Sequence, residues 1–391
     1  MPRSRYTPAS IGLPSVAAPM TKVTGSRTVA SSALLCACCA LCALLCLSPP
    51  RARAESVTWL YDVSVEIPDR SSEARAAASR EGLATVLTRL TGLAQLPQSP
   101  TLEAALAAPD RYALRFGYRE AKRNDKPIVQ LAVRYADAAL QKLVKDSALP
   151  LWSANRPKLL VWVARDAASR QTMRAPDATD PVDDALSSRA TFRGLPIALP
   201  PADGAPDAIA LSDALQRTDP ASLHDIAQRA QADGMLVGRI VASPSGRAHG
   251  QWRMALFGAD ERFELDAATP EEAAALAIDR ATDEIVGQYA IAAGEEREMR
   301  MRVDGISDFA QYSALLRYLG SLEFVEQLRV VEVERGALHV SITTNTPWDR
   351  FAKLLALDGR LQSTMSLPDP SSEIDFAWHG QSTAHAGGAG G

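Results

Sequence analysis

The feature that most constrains the fold is an apolar run near the middle of the chain. Residues 156–165 read RPKLLVWVAR, and six consecutive apolar residues occupy 159–164. A run of this length, rich in Leu and Val, is typical of a strand buried on both faces of a sheet. Such a strand needs helices above and below it, and the chain on both sides must supply them.

The segments after this strand alternate predicted helices with predicted strands. The helices are predicted over 182–193 and 219–230, and the apolar strands over 195–199 and 235–241. This alternation favours right-handed crossovers and a mainly parallel sheet flanked by helices. Two further strands, near 252–257 and 262–265, are expected to extend the sheet in the antiparallel sense.

The composition predicts a globular protein with a packed core, because 47% of the 391 residues are hydrophobic and 23% are charged. A chain of this length can form two or three domains. We predict three: an N-terminal α+β domain at 55–150, a central α/β domain at 151–295 and a C-terminal domain at 296–379. The Gly- and Ala-rich residues 380–391 are predicted to be a disordered tail.

The two outer domains are predicted to share the order β-α-β-β-α. In the first, the alternation of Val63, Val65 and Ile67 with polar residues indicates a strand with one solvated face, and Gly92 ends the following helix. In the third, a final strand near 374–378 completes the ferredoxin-like order β-α-β-β-α-β. The predicted fold class is therefore mixed, α/β in the centre and α+β in the outer domains.

The N-terminal 54 residues have the pattern of a secretory signal peptide. They contain six basic residues and no acidic one, and residues 33–47 form an apolar block of 15 residues. That block is shorter than the roughly 20 residues of a membrane span. The small-x-small pattern at 52–54 predicts cleavage after Ala54 and hence a periplasmic location. Residues 1–19 are interpreted as an overlong gene start, because Met20 is soon followed by Lys22 and Arg27.

All the cysteines lie inside this apolar block. They are Cys36, Cys38, Cys39, Cys42 and Cys46. A chain cleaved after Ala54 would therefore have no disulfide, no cysteine nucleophile and no thiolate metal site. Two alternatives stay open: one of the cysteines could carry a lipid, or the leader could remain as an uncleaved anchor.

Charge and motifs argue against several functional classes. The predicted mature chain has 36 basic and 46 acidic residues, a net charge of −10 (36 − 46), which does not favour nucleic acid as a partner. The five histidines lack the spacing of metal ligands. Neither a nucleophile elbow nor a phosphate-binding glycine loop occurs. We therefore predict no catalytic residue, no metal and no cofactor, and the assignment leans away from an enzyme.

The candidate site is the segment that leads into the central strand. It contains Trp152, Asn155 and Arg156, and Asp166 follows the strand. One interpretation is interdomain packing, with Trp152 as a plug and Arg156 paired with an acidic neighbour. The other is a contact site for a partner or ligand, because Trp and Arg are favoured anchors at interfaces.

Several stretches resemble a known family. Residues 86–92 (VLTRLTG), residues 149–152 (LPLW) and the segment from Arg156 to Trp162, together with the exported leader, resemble a proteobacterial family of exported proteins catalogued as domain of unknown function 2066. The resemblance covers most of the mature chain. It implies export and carries no activity, cofactor or catalytic residue.

A second, fold-level resemblance lies at residues 227–238 (AQRAQADGMLVG). This stretch is similar to the helix-to-strand step in periplasmic α/β domains of envelope assembly proteins, such as the N-terminal domain of the Tol β-propeller protein and curli-secretion lipoproteins. The resemblance implies protein binding without chemistry.

Two functional hypotheses follow. The first is a non-catalytic protein-binding or envelope-assembly accessory module of the periplasm, with a cell-envelope protein as its partner and no transmembrane segment in the mature chain. The alternative is a periplasmic hydrolase or small-ligand binder that uses a cleft between the first two domains, near Asn155, Arg156 and Asp166. The alternative requires a deep polar pocket at that junction.

Overall fold

The computed structural model describes residues 55–123, 126–165, 180–200, 220–291, 294–357, 359–364 and 373–380. These residues form a mixed α/β fold with eight α-helices and three main sheets, of three, five and five strands. The prediction of a mixed class is confirmed at this level. The predicted signal peptide, its cysteines and most of the predicted tail lie outside the described residues.

The first sheet is antiparallel and carries helices on one face. A short strand, β1 (Glu55–Ser56), precedes β2 (Asp62–Ile67), α1 (Ser72–Thr91), α2 (Pro100–Ala107), β3 (Ala113–Arg123), β4 (Lys126–Tyr135) and α3 (Asp137–Asp146). The strand order is β2-β4-β3, so β3 lies at an edge. Val63, Val65 and Ile67 are buried between exposed polar neighbours, as their alternation predicts. Helix α1 covers β2 and β4.

The second sheet contains the predicted central strand. Its elements are β6 (Leu159–Arg165), α4 (Pro181–Arg193), β7 (Ile197–Ala198), α5 (Pro220–Arg229), β8 (Gly234–Ala242), β9 (Ala248–Leu256), β10 (Ala259–Ala267) and α6 (Pro270–Tyr289). Strand β6 pairs in parallel with β7 and β8, and β9 and β10 extend the sheet antiparallel. Leu159 and Leu160 belong to two different core clusters, so both faces of β6 are buried, as expected.

A ribbon joins the first two sheets. Strand β5 (Asn155–Arg156) pairs antiparallel with β1 just before β6 begins. The backbone amide of Trp152 donates to the carbonyl of Leu90 at 2.7 Å, which fastens the same segment to the end of α1. The segment that leads into the central strand is therefore held on both sides by backbone hydrogen bonds.

The third sheet departs from the ferredoxin-like order. It contains β11 (Arg297–Ile306), α7 (Phe309–Gly320), β12 (Gln327–Glu334), β13 (Gly336–Thr344), α8 (Trp348–Ala356), β14 (Leu361–Ser363) and β15 (Ile374–Trp378). Its order is β12-β13-β11-β15-β14, and β15 runs parallel to β11. In the ferredoxin-like order all neighbouring strands are antiparallel. Strand β14 lies at the edge of the sheet and pairs antiparallel with β15. It was not predicted, because three residues are too few to show a period-two pattern.

The predicted boundaries between the domains stay predictions. One core cluster runs continuously from the second sheet into the third, and a separate cluster lies under the first sheet. The Arg350 guanidinium of α8 donates to the carbonyls of Gly287 and Ala290, at and just beyond the end of α6. The second and third sheets are thus joined through both apolar packing and polar contacts.

Candidate functional site

The segment predicted as the site surrounds a buried guanidinium. The side chain of Arg156 is fully buried, and its Cζ atom lies 3.9 Å from the ring centre of Trp152, which is also buried. Its nitrogens donate to four backbone carbonyls, those of Ser153 (2.8 Å), Trp152 (2.7 Å), Gly194 (2.7 Å) and Arg89 (2.9 Å). Trp152 therefore lies where the packing interpretation expects a plug.

The acceptors of Arg156 correct one part of that interpretation. We expected an acidic neighbour to pair with it, whereas backbone carbonyls accept its hydrogen bonds. Burial lowers the pKa of Arg156 to about 9, and the nearby Glu323 carboxylate opposes this shift. The guanidinium stays protonated at neutral pH, so the carbonyl dipoles must compensate the cost of burying its charge.

A second buried arginine joins the first sheet to α4. Arg89, near the end of α1, donates to the carbonyls of Thr191 at 2.9 Å and Asp62 at 2.7 Å. Its guanidinium also lies 5.3 Å from the ring centre of Trp59. Burial lowers its pKa to about 10. Arg89, in the last turn of α1, thus contacts both the start of β2 and the last turn of α4.

A third buried arginine joins α4 to α6. Arg193 donates to the carboxylates of Asp279 at 2.7 Å and Asp283 at 2.6 Å, and to the carbonyl of Gly92 at 2.9 Å. Arg189, one turn earlier, shares the same Asp279 oxygen. Unlike Arg156, this guanidinium has carboxylate partners. Arg89, Arg156 and Arg193 together connect α1, α4 and α6.

Two glycines that end helices allow Arg156 and Val286 to approach the backbone closely. Gly92 and Gly194 both have the left-handed backbone conformation, with φ of 69° and 77°. A Cβ atom on Gly194 would lie 2.4 Å from Nη1 of Arg156, and one on Gly92 would lie 2.4 Å from Val286. Their role as helix stops was predictable, but the long-range contacts that exclude a side chain there were not.

The other two predicted site residues do not complete a cleft. Asn155 is half-buried in β5, and its backbone amide donates to Oγ of Ser153. Asp166 lies outside the described residues. The structure brings Trp152 and Arg156 together, and the described part of the junction is filled by their side chains and by Arg89.

A groove lies instead between α3 and the third sheet. It has a volume of 610 Å³, and its lining includes Gln141, Lys145, Leu151, Glu323 and Glu326. Lys145 and Glu326 form an ion pair at 2.6 Å. Glu323 accepts from the backbone amide of Ala154 at 2.9 Å, next to the arginine junction. The polar groups of this groove are largely used to join the first and third sheets.

One buried carboxylate has an incomplete set of partners. Asp233 precedes β8, and its Oδ2 accepts from the backbone amide of Lys158 at 2.7 Å. The other oxygen, Oδ1, is buried without a hydrogen bond from any described residue. Burial raises the pKa of Asp233 to about 6. In the sequence, Asp233 and Gly234 have only the pattern of a turn, and nothing local shows that this turn is covered.

The clearest candidates for a binding surface are two edge strands with exposed apolar side chains. In β3, Leu114 is 69% and Phe116 is 53% exposed, and in β12, Val331 is 56% and Val333 is 65% exposed. Both strands were predicted, but their positions at sheet edges were not. Large apolar side chains on an open edge expose both hydrophobic surface and unpaired backbone groups, which suits the binding of another chain.

The described residues contain neither a candidate metal cluster nor a helix that could span a membrane. No group of three or more His, Cys, Asp or Glu side chains in those residues could hold a metal ion. None of their helices is both long enough and apolar enough to cross a membrane.

The comparison with known families corrects the expected resemblance. The family described as "Domain of unknown function (DUF8605)" matches residues 54–153, which are 100 of the 391 residues. The resemblance to domain of unknown function 2066 is wrong, because the matching family is a different one. No curated protein matches the chain. The stretches that suggested the earlier family include the end of α1 and the entrance to β6, where Gly92 ends a helix and Trp152 and Arg156 are packed inside the molecule.

Proposed function

We propose that this protein is an exported, non-catalytic module that binds a protein of the cell envelope. The observation that carries the proposal is the exposed β12 edge, which we define as Phe309, Val330, Val331 and Val333. Soluble proteins usually protect edge strands with charges, prolines or covering elements. An edge that exposes three valines is therefore best explained as a contact surface.

The β12 edge continues the covered face of its own sheet. Val330 and Val333 lie opposite Val340 and Leu338 of β13, and both of these partners are fully buried. Phe309, 79% exposed at the start of α7, stacks on Tyr312 with ring centres 6.0 Å apart. The apolar layer between sheet and helix thus extends to the surface instead of ending at a polar rim.

The location in the proposal is supported by the sequence of the leader. The basic residues, the short apolar block and the pattern before Glu55 are those of a signal peptide cleaved after Ala54. A protein with this leader meets partners in the periplasm, which motivates a cell-envelope protein as the partner class. Cell fractionation tests this part directly: recovery in the cytoplasm with the leader intact would contradict it.

The alternative of a hydrolase or small-ligand binder gains no support at the junction. That hypothesis requires a polar pocket near Asn155 and Arg156. Among the described residues, the Arg156 guanidinium is enclosed by carbonyls, and Trp152 lies against it. The binding-module proposal has a positive observation behind it, and we therefore prefer it.

Site-specific photo-crosslinking tests the proposal. A photoreactive amino acid is placed at Val331 of the full chain, expressed in its own cells. The matched control carries it at Glu264 on β10, an exposed strand at the edge of the second sheet. We expect discrete protein adducts from position 331 that are absent from position 264. An identical adduct pattern from both positions, or no adduct from position 331, would overturn the proposal.

A further inference from the structure

We infer that the β12 edge binds the β3 edge of a second copy of this chain. The inference rests on the proposed function and names its partner. We define the β3 edge as Leu114, Arg115, Phe116, Tyr118 and Arg119. Among the described strands, β3 pairs only with β4 and β12 only with β13, so each has one open side.

The charges of the two strands disfavour a β3–β3 or a β12–β12 pair and favour a β3–β12 pair. Strand β3 carries four basic residues against one acidic, and β12 carries one basic against two acidic. They are Arg115, Arg119, Lys122, Arg123 and Glu120 in β3, and Arg329, Glu332 and Glu334 in β12. Two β3 strands side by side would repel each other, as would two β12 strands, because like charges facing across strands are destabilising. A β3–β12 pair would bring opposite charges together.

The apolar faces of the two strands also match. In β3, Phe116 and Tyr118 lie opposite Val133 and Leu131, on the face that α1 covers. In β12, the β-bulge at Val331 puts Val330 and Val333 on the helix-covered face of the third sheet, although they are three residues apart. Two such strands, joined with their helices on the same side, would place aromatic rings beside valines. Such cross-strand pairs stabilise sheets.

The opposite faces carry the complementary charges. Arg115 and Arg119 lie opposite Arg134 and Gln130, on the face away from α1. Glu332 lies opposite His339, on the face of the third sheet away from its helices. A joined sheet would therefore bring arginines beside glutamates on one face, while rings and valines meet on the other.

The residues that would form these ion pairs are available. Within the described part of the chain, Arg115, Arg119 and Glu332 have no ion-pair partner, whereas Glu120 already pairs with Arg70 at 3.3 Å. Glu334 has only loose contacts, 3.9 Å from Arg302 and 3.5 Å from His339. The acidic side chain of β3 that would oppose the contact is thus already paired, whereas Arg115 and Arg119, which favour it, have no ion-pair partner among the described residues.

The contact is head-to-tail, because β3 and β12 are different surfaces of the same chain. Each added copy leaves one β3 edge and one β12 edge open. Such heterologous contacts produce open chains, or rings if the rotation closes. The average mass should therefore rise past that of a dimer as concentration increases, and it should fall with added salt because the ion pairs are exposed.

Charge reversal with mixing tests this inference. One variant carries Arg115→Glu and Arg119→Glu, and the other carries Glu332→Arg and Glu334→Arg. Each variant alone has two edges of the same sign, so we expect each to stay monomeric at concentrations where the wild type associates. An equimolar mixture offers opposite edges again and should regain association. Sedimentation velocity at low salt measures all four samples.

Controls separate folding from association. The matched variant Glu264→Arg, on the edge strand β10, should associate as the wild type does, and circular dichroism should show that every variant is folded. A wild type that stays monomeric over the whole concentration range, or folded variants whose mixture stays monomeric, would overturn self-pairing. Adducts from position 331 that contain a different protein would also overturn it, while leaving the proposed binding function in place.

Discussion

The arginines of the junction and those of the β3 edge show how differently one side chain can be used. Arg156 is fully buried, and four carbonyls accept its hydrogen bonds. Arg115 and Arg119 lie on an open strand and have no ion-pair partner among the described residues. At the junction, the hydrogen-bond donors of the guanidinium are used inside the molecule. At the β3 edge, the guanidinium groups remain available to a partner. The β3 edge, where guanidinium groups lack ion-pair partners in the described part of the chain, is therefore better suited to binding than the junction, where Trp and Arg cluster.

This comparison also explains why the junction looked functional. Trp and Arg are preferred at protein interfaces because they combine a large contact area with directional hydrogen bonding. The same properties suit an internal interface between two sheets. The junction of this chain is best understood as such an internal interface, in which Trp152 and Arg156 hold α1, the entrance to β6 and the end of α4 together.

The largest expected effect comes from removing the buried guanidinium. Arg156→Ala leaves four carbonyls without this donor, and we expect it to lower the free energy of unfolding by about 3–5 kcal/mol, since an unsatisfied buried group costs roughly 1–3 kcal/mol. The edge variant Arg115→Ala should change it by less than about 0.5 kcal/mol. Chemical denaturation of both variants measures the difference. Equal effects would contradict the contrast between junction and edge.

The next effect separates backbone strain from packing in the junction. Gly194→Ala combines a positive φ with a Cβ only 2.4 Å from Arg156, and should cost about 3 kcal/mol. Gly336 in the β12–β13 turn has a φ of 86° but an open Cβ direction, so Gly336→Ala should cost only about 1–2 kcal/mol. Thermal and chemical unfolding compare the two. A cost at Gly194 no greater than at Gly336 would show that the junction tolerates a side chain there.

A third effect concerns Asp233, which is buried like Arg156 but lacks a full set of partners. Its pKa rises from 3.8 to about 6 on folding, so the folded state holds the proton more tightly than the unfolded state. The contribution of Asp233 to stability should therefore be greatest below about pH 4, fall between about pH 4 and 6, and stay constant above. The loss is on the order of 2–3 kcal/mol, at about 1.4 kcal/mol per pKa unit.

The variant Asp233→Asn checks the origin of this pH dependence. The amide oxygen can still accept from the Lys158 amide, but the side chain no longer ionises. We expect the free energy of unfolding of the variant to lose this decrease between pH 4 and 6. The exposed Asp69, whose pKa is lowered by Ser71, offers the matched control: Asp69→Asn should leave the decrease in place. A decrease that persists in Asp233→Asn would assign it to another group.

Local sequence predicted elements better than it predicted their surroundings. Three features depend only on near neighbours in the sequence, and each is present as expected. They are the apolar run at 159–164, the alternation in β2 and the glycines after α1 and α4. The edge positions of β3 and β12 depend on which strands pair, and that choice is made by distant parts of the chain. The partners of Arg156 were missed for a related reason. Every residue has a backbone carbonyl, so no sequence pattern shows which four will surround a given guanidinium.

The smallest expected effect on stability comes from the β12 edge. Val333→Thr keeps the β-branched shape on an exposed strand and should change the free energy of unfolding by less than about 0.5 kcal/mol. Its opposite neighbour Leu338 is fully buried, and Leu338→Thr should cost several times more, at least about 2 kcal/mol, through lost packing and a buried hydroxyl. If Val333 serves contact between chains, the first substitution should instead weaken the concentration-dependent increase in mass. A large loss of stability with unchanged association would assign Val333 to the core of its own chain, and the β12 edge would then lose its main apolar contact.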